Sequence, residues 1–287
     1  MHSKLVCILL ACLLGCGMAA AQTVADSTKA AAQDEDFVRA SLLVIGPGND
    51  AVTCFGHAAI RLQCPPHQLD YCFTFEMKLA EGEHLKFLAG EAKAGFIAAP
   101  TSLFLQQYTQ QGRGITEYDL NLLPAEEQAL WRNLDREVAQ DARWSYDFIT
   151  VNCASMCVWI IERSLQGEHI AYHQLPAVLQ GTYSDVMDYI AEEAPWMNLY
   201  FHLRYFSQRN DAGALNDKMA PPLLAEAWEH ASFDGSPGGP RPVIVAKRQL
   251  VPQNLVPSSC WFTPTMALVI AIILVTTILL FIKRKKR

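Results

Sequence analysis

No two of the nine cysteines stand at C-x-x-C spacing, which excludes a zinc framework or a dithiol redox site of that pattern. No metal and no cofactor is expected. Basic residues are few as well. The chain holds 23 Lys and Arg against 29 Asp and Glu, and six of the bases, Lys4 and those at 283–287, sit at its two ends; the remaining 17 against 29 give a balance of −12. A nucleic-acid partner needs a basic face, so none is expected. An acidic exterior also disfavours broad electrostatic adhesion to an anionic membrane, so any lipid contact should be local and apolar. Neither an internal repeat nor a long low-complexity tract is present.

The ends are what the sequence has in plenty. Lys4, the apolar run Leu5 to Leu14 and the small residues Ala19-Ala20-Ala21 follow the order of a secretory signal peptide. Leu13-Leu14-Gly15-Cys16 also resembles a lipoprotein cleavage box, but the well-formed A-x-A site predicts ordinary cleavage after Ala21. At the other end, Met266 to Ile282 is a run of 17 residues without a charge, followed by Lys283-Arg284-Lys285-Lys286-Arg287. With Trp261, Phe262 and Pro264 it is long enough to span a bilayer. The basic tail marks the cytoplasmic side and the aromatic pair suits the opposite interface. The expected organisation is a signal peptide at 1–21, a flexible leader at 22–38, one exported domain at 39–250, a tether at 251–264, a transmembrane helix at 265–282 and a basic tail at 283–287. Three cysteines leave with the signal, and six enter an oxidising compartment. Of these, Cys64 and Cys72 flank Pro65-Pro66-His67-Gln68 and are candidates to bridge a hairpin.

Within the domain, Ser41 to Ile45 reads as a buried strand ended by Gly46-Pro47-Gly48-Asn49-Asp50. Cys54 to Gln63 reads as a second strand, with His57, Ala59 and Arg61 on one face and Ala58, Ile60 and Leu62 on the other. Tyr71 to Met77 is a third, with Tyr71, Phe73, Phe75 and Met77 sharing a face. Pro124 opens a helix with Glu126 and Glu127 in its first turn and Leu130, Leu134 and Val138 as its apolar stripe. The stretch from Tyr183 to Phe233 reads as helices, and Val243-Ile244-Val245 as a last strand. Strands and helices together predict one α+β domain.

Asn152-Cys153 carries the chemistry. It opens the apolar run Ala154 to Ile161, which reads as a buried helix, and Asn152 is a good N-cap. A thiol at a helix N-terminus has its pKa lowered by the dipole, and a histidine from elsewhere in the fold can hold its proton. His57, in Phe55-Gly56-His57-Ala58-Ala59, is the candidate. The plainer alternative is a structural cysteine and a satisfied core histidine. Cys157 shares a helix face with Cys153 and reads as a packed neighbour. Asn152 caps the helix or orients the site. Arg61 binds a phosphate or locks a carboxylate. Asp147 and Tyr146 orient His57 or make core hydrogen bonds, and Arg113 reads as a structural ion-pair partner.

At these residues the chain resembles the Lnb N-terminal periplasmic domain family of Bacteroides-type envelope proteins. The likeness runs through Gly46-Pro47-Gly48, Phe55 to Arg61, Gln111-Gly112-Arg113, Leu120-Asn121-Leu122, Tyr146-Asp147-Phe148 and Asn152-Cys153-Ala154, covering roughly 39–250. The resemblance implies a lipoprotein N-acyltransferase, which moves a fatty acyl chain from phospholipid to the N-terminal amine of a lipoprotein. It also implies a fold similar to permuted papain-like (NlpC/LRAT-type) enzymes. Cys153 is then the nucleophile and His57 the base, with Asn152, Arg61, Asp147 and Tyr146 in support. The implied partners are a phospholipid acyl donor, a lipoprotein acceptor and the membrane; the implied location is the inner (cytoplasmic) membrane, with the main domain in the periplasm. Family members carry several membrane helices, whereas this chain has one. Two other readings stay open: a papain-like envelope peptidase or amidase using the same dyad, and a non-enzymatic assembly protein with Cys153 locked in a disulfide to Cys157 or Cys54.

Overall fold

The computed structural model describes residues 38–77, 84–235, 238–256 and 260–285. The expected signal peptide, nearly all of the leader and the last two tail residues lie outside them. The first half of the domain runs β1 (Arg39–Ile45), β2 (His57–Cys64), β3 (Leu69–Met77), α1 (His84–Ala89), β4 (Lys93–Pro100), α2 (Thr101–Gln110), β5 (Ile115–Leu120), α3 (Pro124–Ala139), β6 (Trp144–Ser145) and α4 (Cys153–Glu162). Then follow β7 (His169–Tyr172), α5 (Tyr183–Ile190), α6 (Pro195–Arg204), α7 (Pro221–Glu229), β8 (Ala231–Asp234), β9 (Arg241–Pro242), β10 (Ile244–Val251) and α8 (Pro264–Lys285). The architecture is α+β.

Seven strands form one antiparallel sheet in the order β10-β5-β1-β2-β3-β4-β6, and β7-β8-β9 form a smaller one. Side chains alternate across the large sheet, and both faces are covered. On one face Leu42, Ala58, Ile60, Leu62, Phe73 and Phe75 pack with Leu130 and Leu134 of α3 and with Ala154, Cys157, Val158 and Ile161 of α4. On the other, Leu43, Ile45, Ala59, Cys72 and Ile115 pack under Phe104 and Tyr108 of α2. Helix α4 therefore lies in the core. Eight of its ten residues are buried, which is why its sequence is apolar on every side.

Polar groups buried in the sheet are matched by one another. Glu117 of β5 accepts from Arg61 Nη1 at 2.9 Å and from Arg248 Nη2 of β10 at 3.0 Å, tying three strands together. Glu126, expected for its place in the first turn of α3, also meets Arg241 at 2.6 Å, and the same guanidinium nitrogen reaches Glu168.

Several sequence expectations need correction. Strand β2 begins at His57, not Cys54, because Gly56 adopts φ 78° and closes a turn onto Thr53. A Cβ there would stand 2.6 Å from the Ile45 carbonyl oxygen, so only glycine suits the position. Cys64 and Cys72 do not bridge. The register sets Cys72 opposite Arg61 and Cys64 opposite Leu69, and both thiols are free and buried. Ala231–Asp234 is a strand rather than helix, because it pairs with β7, a partner some sixty residues upstream that local pattern cannot reveal.

The chain leaves the sheet along β10 and turns back on itself before the apolar helix. The amides of Asn254 and Leu255 donate to the Gly112 carbonyl at 2.9 and 2.7 Å. The indole N–H of Trp196 in α6 donates to the Phe262 carbonyl at 2.7 Å, with the two rings 5.8 Å apart. Helix α8 follows, 22 residues long, with an 18-residue stretch of mean hydropathy 2.9, none of it buried. It is long and apolar enough to cross a membrane.

Candidate active site

The turn before α4 is built to present Cys153. Asp147 Oδ1 accepts from the amides of Ile149 and Thr150 at 3.0 and 2.9 Å, and its Oδ2 from the Tyr205 hydroxyl at 2.8 Å. These bonds fold the chain so that Asn152 can cap the helix. Its side-chain oxygen accepts from Ala154 and Ser155 N–H at 2.8 and 3.0 Å, while its amide nitrogen donates to the carbonyls of Phe148, Ile149 and Met219. Ser155 Oγ completes the box by accepting from the Asn152 amide at 2.9 Å. Both atoms of the Asn152 amide group are thus committed to the backbone.

Cys153 stands at the first turn of α4, and His57 at the first residue of β2. Both line one cavity of about 280 Å³, with Glu76, Tyr108, Arg113, Tyr146 and Asn152. The backbone amides of Ala58, Ala154 and Cys153 itself lie near enough to the Cys153 sulfur to pull its pKa down. The residue next to His57 therefore stands close to the thiol. His57 Nε2 is 2.5 Å from Thr74 Oγ1 and 3.9 Å from Glu76 Oε1, and its ring stacks towards Tyr108 at 6.5 Å.

The electrostatics correct the expectation of a lowered thiol pKa. Burial pushes the Cys153 thiol up to about 11 and outweighs the amides that pull it down. Burial, reinforced by the positive charge of Arg113, pulls His57 down to about 4. At neutral pH the pair is a thiol and a neutral imidazole, not a thiolate and an imidazolium.

Arg113 is not an ion-pair residue. It donates from Nε to the Gly46 carbonyl at 2.9 Å and from Nη1 to Gln111 Oε1 at 3.3 Å, and its guanidinium lies over the Tyr108 ring at 5.0 Å. Its Nη2 is buried without a partner, and no carboxylate among the described residues pairs with it within 4 Å. Arg61 shares a strand face with His57 but does not line the cavity. Asp70 takes its Nε and Nη2 at 2.8 and 2.6 Å, and Glu117 its Nη1, so of the two readings the carboxylate lock is the one its contacts match. Tyr146 lines the cavity close enough to Cys153 for burial and that thiol to push its phenol well above its usual pKa. Asp147, by contrast, spends its oxygens on the turn and Tyr205.

Glu76 and Tyr108, which line the cavity, and Thr74, which meets His57, are site residues that sequence reasoning missed. Thr74 and Glu76 are the positions of β3 that alternate with Phe73, Phe75 and Met77; polar residues set between buried aromatics were the available signal. Cys153, Cys157 and Cys54 are all free thiols, so the disulfide that the assembly-protein reading called for is not formed.

No curated protein and no solved structure matches the chain. A family model described as the Lnb N-terminal periplasmic domain matches residues 26–185, a span that holds every cavity residue named above. The domain continues past the match: α6, α7 and the edge strand β10, which pairs with β5, all lie beyond it. The match covers more than half of the chain, which therefore belongs to the Lnb N-terminal periplasmic domain family.

Proposed function

We propose that this protein is a membrane-anchored cysteine acyltransferase that carries a fatty acyl chain from phospholipid, as a thioester on Cys153, to the N-terminal amine of a lipoprotein. The observation that carries the reading is the Cys153 sulfur at a helix N-terminus, in the cavity that His57 also lines. A helix-borne cysteine packed against an antiparallel sheet that carries the histidine is the arrangement a permuted papain-like enzyme needs. Helix α8 anchors the domain in the inner membrane, and the domain faces the periplasm.

In the proposed mechanism the Nε2–H of His57 donates to Thr74, which leaves Nδ1 as the base. As the Cys153 sulfur attacks the ester carbonyl carbon, its proton passes to Nδ1, so charge appears only in the transition state. Glu76 then faces the imidazolium. The oxyanion is met by the amides of Ala58 and Cys153, each such donor contributing about 3–4 kcal/mol when well placed. Collapse of the tetrahedral intermediate breaks the ester C–O bond, and the glycerol oxygen leaves with the proton from His57. The lipoprotein amine next attacks the thioester, gives its proton to His57, and the thiol is restored.

The test is expression of the full chain in cells lacking their own lipoprotein N-acyltransferase, with mass spectrometry of lipoprotein N-termini. The wild type adds one acyl group and Cys153→Ala adds none. A wild-type chain that leaves the amines free, or a Cys153→Ala chain that acylates them, overturns the reading; free fatty acid without acylated amine points to a hydrolase.

A further inference from the structure

A second cavity, larger than the first at about 510 Å³, adjoins the Cys153 cavity, and nothing in the mechanism above uses it. The two share Phe55, Gly56 and Ile190 as a common wall. Beyond that wall the lining is mainly apolar, including Val44, Ile45, Pro47, Trp196 and Met197. Its far end reaches Cys260, four residues before α8 begins. The Trp196–Phe262 hydrogen bond fixes α6 beside that point. Helix α6 also leaves Trp196, Leu199 and Leu203 exposed at helical spacing, and Trp261, whose ring lies against Phe262, is exposed as well. The exposed carboxylates of Asp50, Glu192 and Glu193 complete the lining.

We infer that this cavity is the acyl-chain site: it takes the hydrocarbon tail of the ester whose carbonyl stands at Cys153, and the tail enters from the bilayer between α6 and the tether. The inference rests on the acyl-transfer reading for its chemistry but adds a site to it. A cavity of this size falls within the ordinary range for ligands, and an apolar chain gains by leaving water for it. The two cavities are separated only by the three residues they share, Phe55, Gly56 and Ile190. A chain held there lies alongside the membrane surface with its ester end turned inward. Met197, buried in the wall, sets the depth of the site and so the length of tail it accepts.

Two measurements separate this inference from the one it rests on. In the first, the full-length Cys153→Ala protein, which does no chemistry, is placed in phosphatidylglycerol vesicles containing a diazirine-labelled palmitoyl phospholipid, irradiated and mapped by mass spectrometry. Cross-links at residues 194–197 are expected; cross-links confined to α8 overturn the acyl-chain site. In the second, thioester formation on Cys153 is compared for palmitoyl and octanoyl phosphatidylglycerol. Met197→Trp is expected to lower the palmitoyl-to-octanoyl ratio about tenfold, the effect of about two methylenes lost from burial, while the octanoyl rate stays near wild type. Met197→Ala shifts the ratio the other way. Should Met197→Trp not fold, Ala51→Trp fills the same cavity from an exposed position. Folded variants that keep the wild-type ratio overturn the site. Cross-links in the cavity without any thioester uphold the site and sink the acyl-transfer reading.

Discussion

The backbone amide of Ala58 lies near the sulfur of Cys153 and lowers its pKa, so the strand that carries His57 and the helix that carries the thiol come together at the reactive atom. A shift of either element alone would alter that approach. Helix α4 is buried against β2 along its length, which holds the two in register.

The neutral resting pair has a kinetic signature. Cys153 should react slowly with iodoacetamide at pH 7, with a rate that climbs only as pH approaches about 11, whereas exposed Cys260 provides the internal reference. Alkylation followed by peptide mass spectrometry across pH 6–11 checks this; a Cys153 inflection well below about 11 would contradict it.

The same groups set the pH dependence of stability. His57 is pulled from 6.5 to about 4 in the folded chain, so between those values the unfolded chain binds a proton that the folded one refuses. Its contribution is fully present above about pH 6.5 and is lost as pH falls towards 4. For Cys153, raised from 9.0 to about 11, stability falls as pH rises through that window. Urea unfolding at several pH values should show both slopes, and His57→Gln should flatten the acid one.

Thr74→Val keeps the shape of the side chain and removes the hydroxyl that meets His57 Nε2. The loss of that bond should cost about 1–3 kcal/mol of transition-state stabilisation, a roughly fivefold to 150-fold fall in the rate of Cys153 thioester formation. Thr74→Ser, which keeps the hydroxyl, should restore most of it.

Arg113→Met removes the one positive charge that holds the His57 imidazolium down beyond burial. The His57 pKa should move up from about 4 towards 6.5, as read by NMR of the ring carbons. An unchanged pKa would show that burial alone sets it.

Arg61→Met removes one of the two guanidinium partners of buried Glu117, which keeps Arg248, and the bidentate partner of Asp70. With one partner left on Glu117 the cost falls short of the roughly 3–5 kcal/mol for a fully broken buried pair, a loss measured by urea unfolding. The pH profile of Cys153 alkylation in the folded fraction should stay as in the wild type, since Arg61 does not line its cavity.

The legible part of the site was the part that is local. Asn152 could be read as a cap and Ala154–Ile161 as a core helix, because both depend on consecutive residues. His57 needed the family likeness, since nothing near it in sequence names its partner. Thr74 and Glu76 depend on the β2–β3 register, and Tyr108 and Arg113 on how α2 crosses the sheet, and neither is written in any one segment. Arg61 looked like a site residue because it shares a strand face with His57. Four residues along a strand is about 13 Å, far enough to leave the cavity and join the ion pairs of β5. The thiol pKa was misjudged for a similar reason: the helix terminus is visible in the sequence, but the burial that outweighs it is a property of the assembled core. In the fold, strands β1 to β3 and helices α3 to α7 were legible, whereas β8 was taken for helix because its partner is distant.

The Trp196–Phe262 contact joins the domain to its anchor at a point rather than through a free leash. A domain on a slack tether would sample every orientation above the bilayer, and its cavity mouth would face lipid only briefly. On the proposed reading, a domain pinned by one indole keeps a single side towards the bilayer, and because Trp196 also lines the larger cavity, the same residue couples orientation to substrate access.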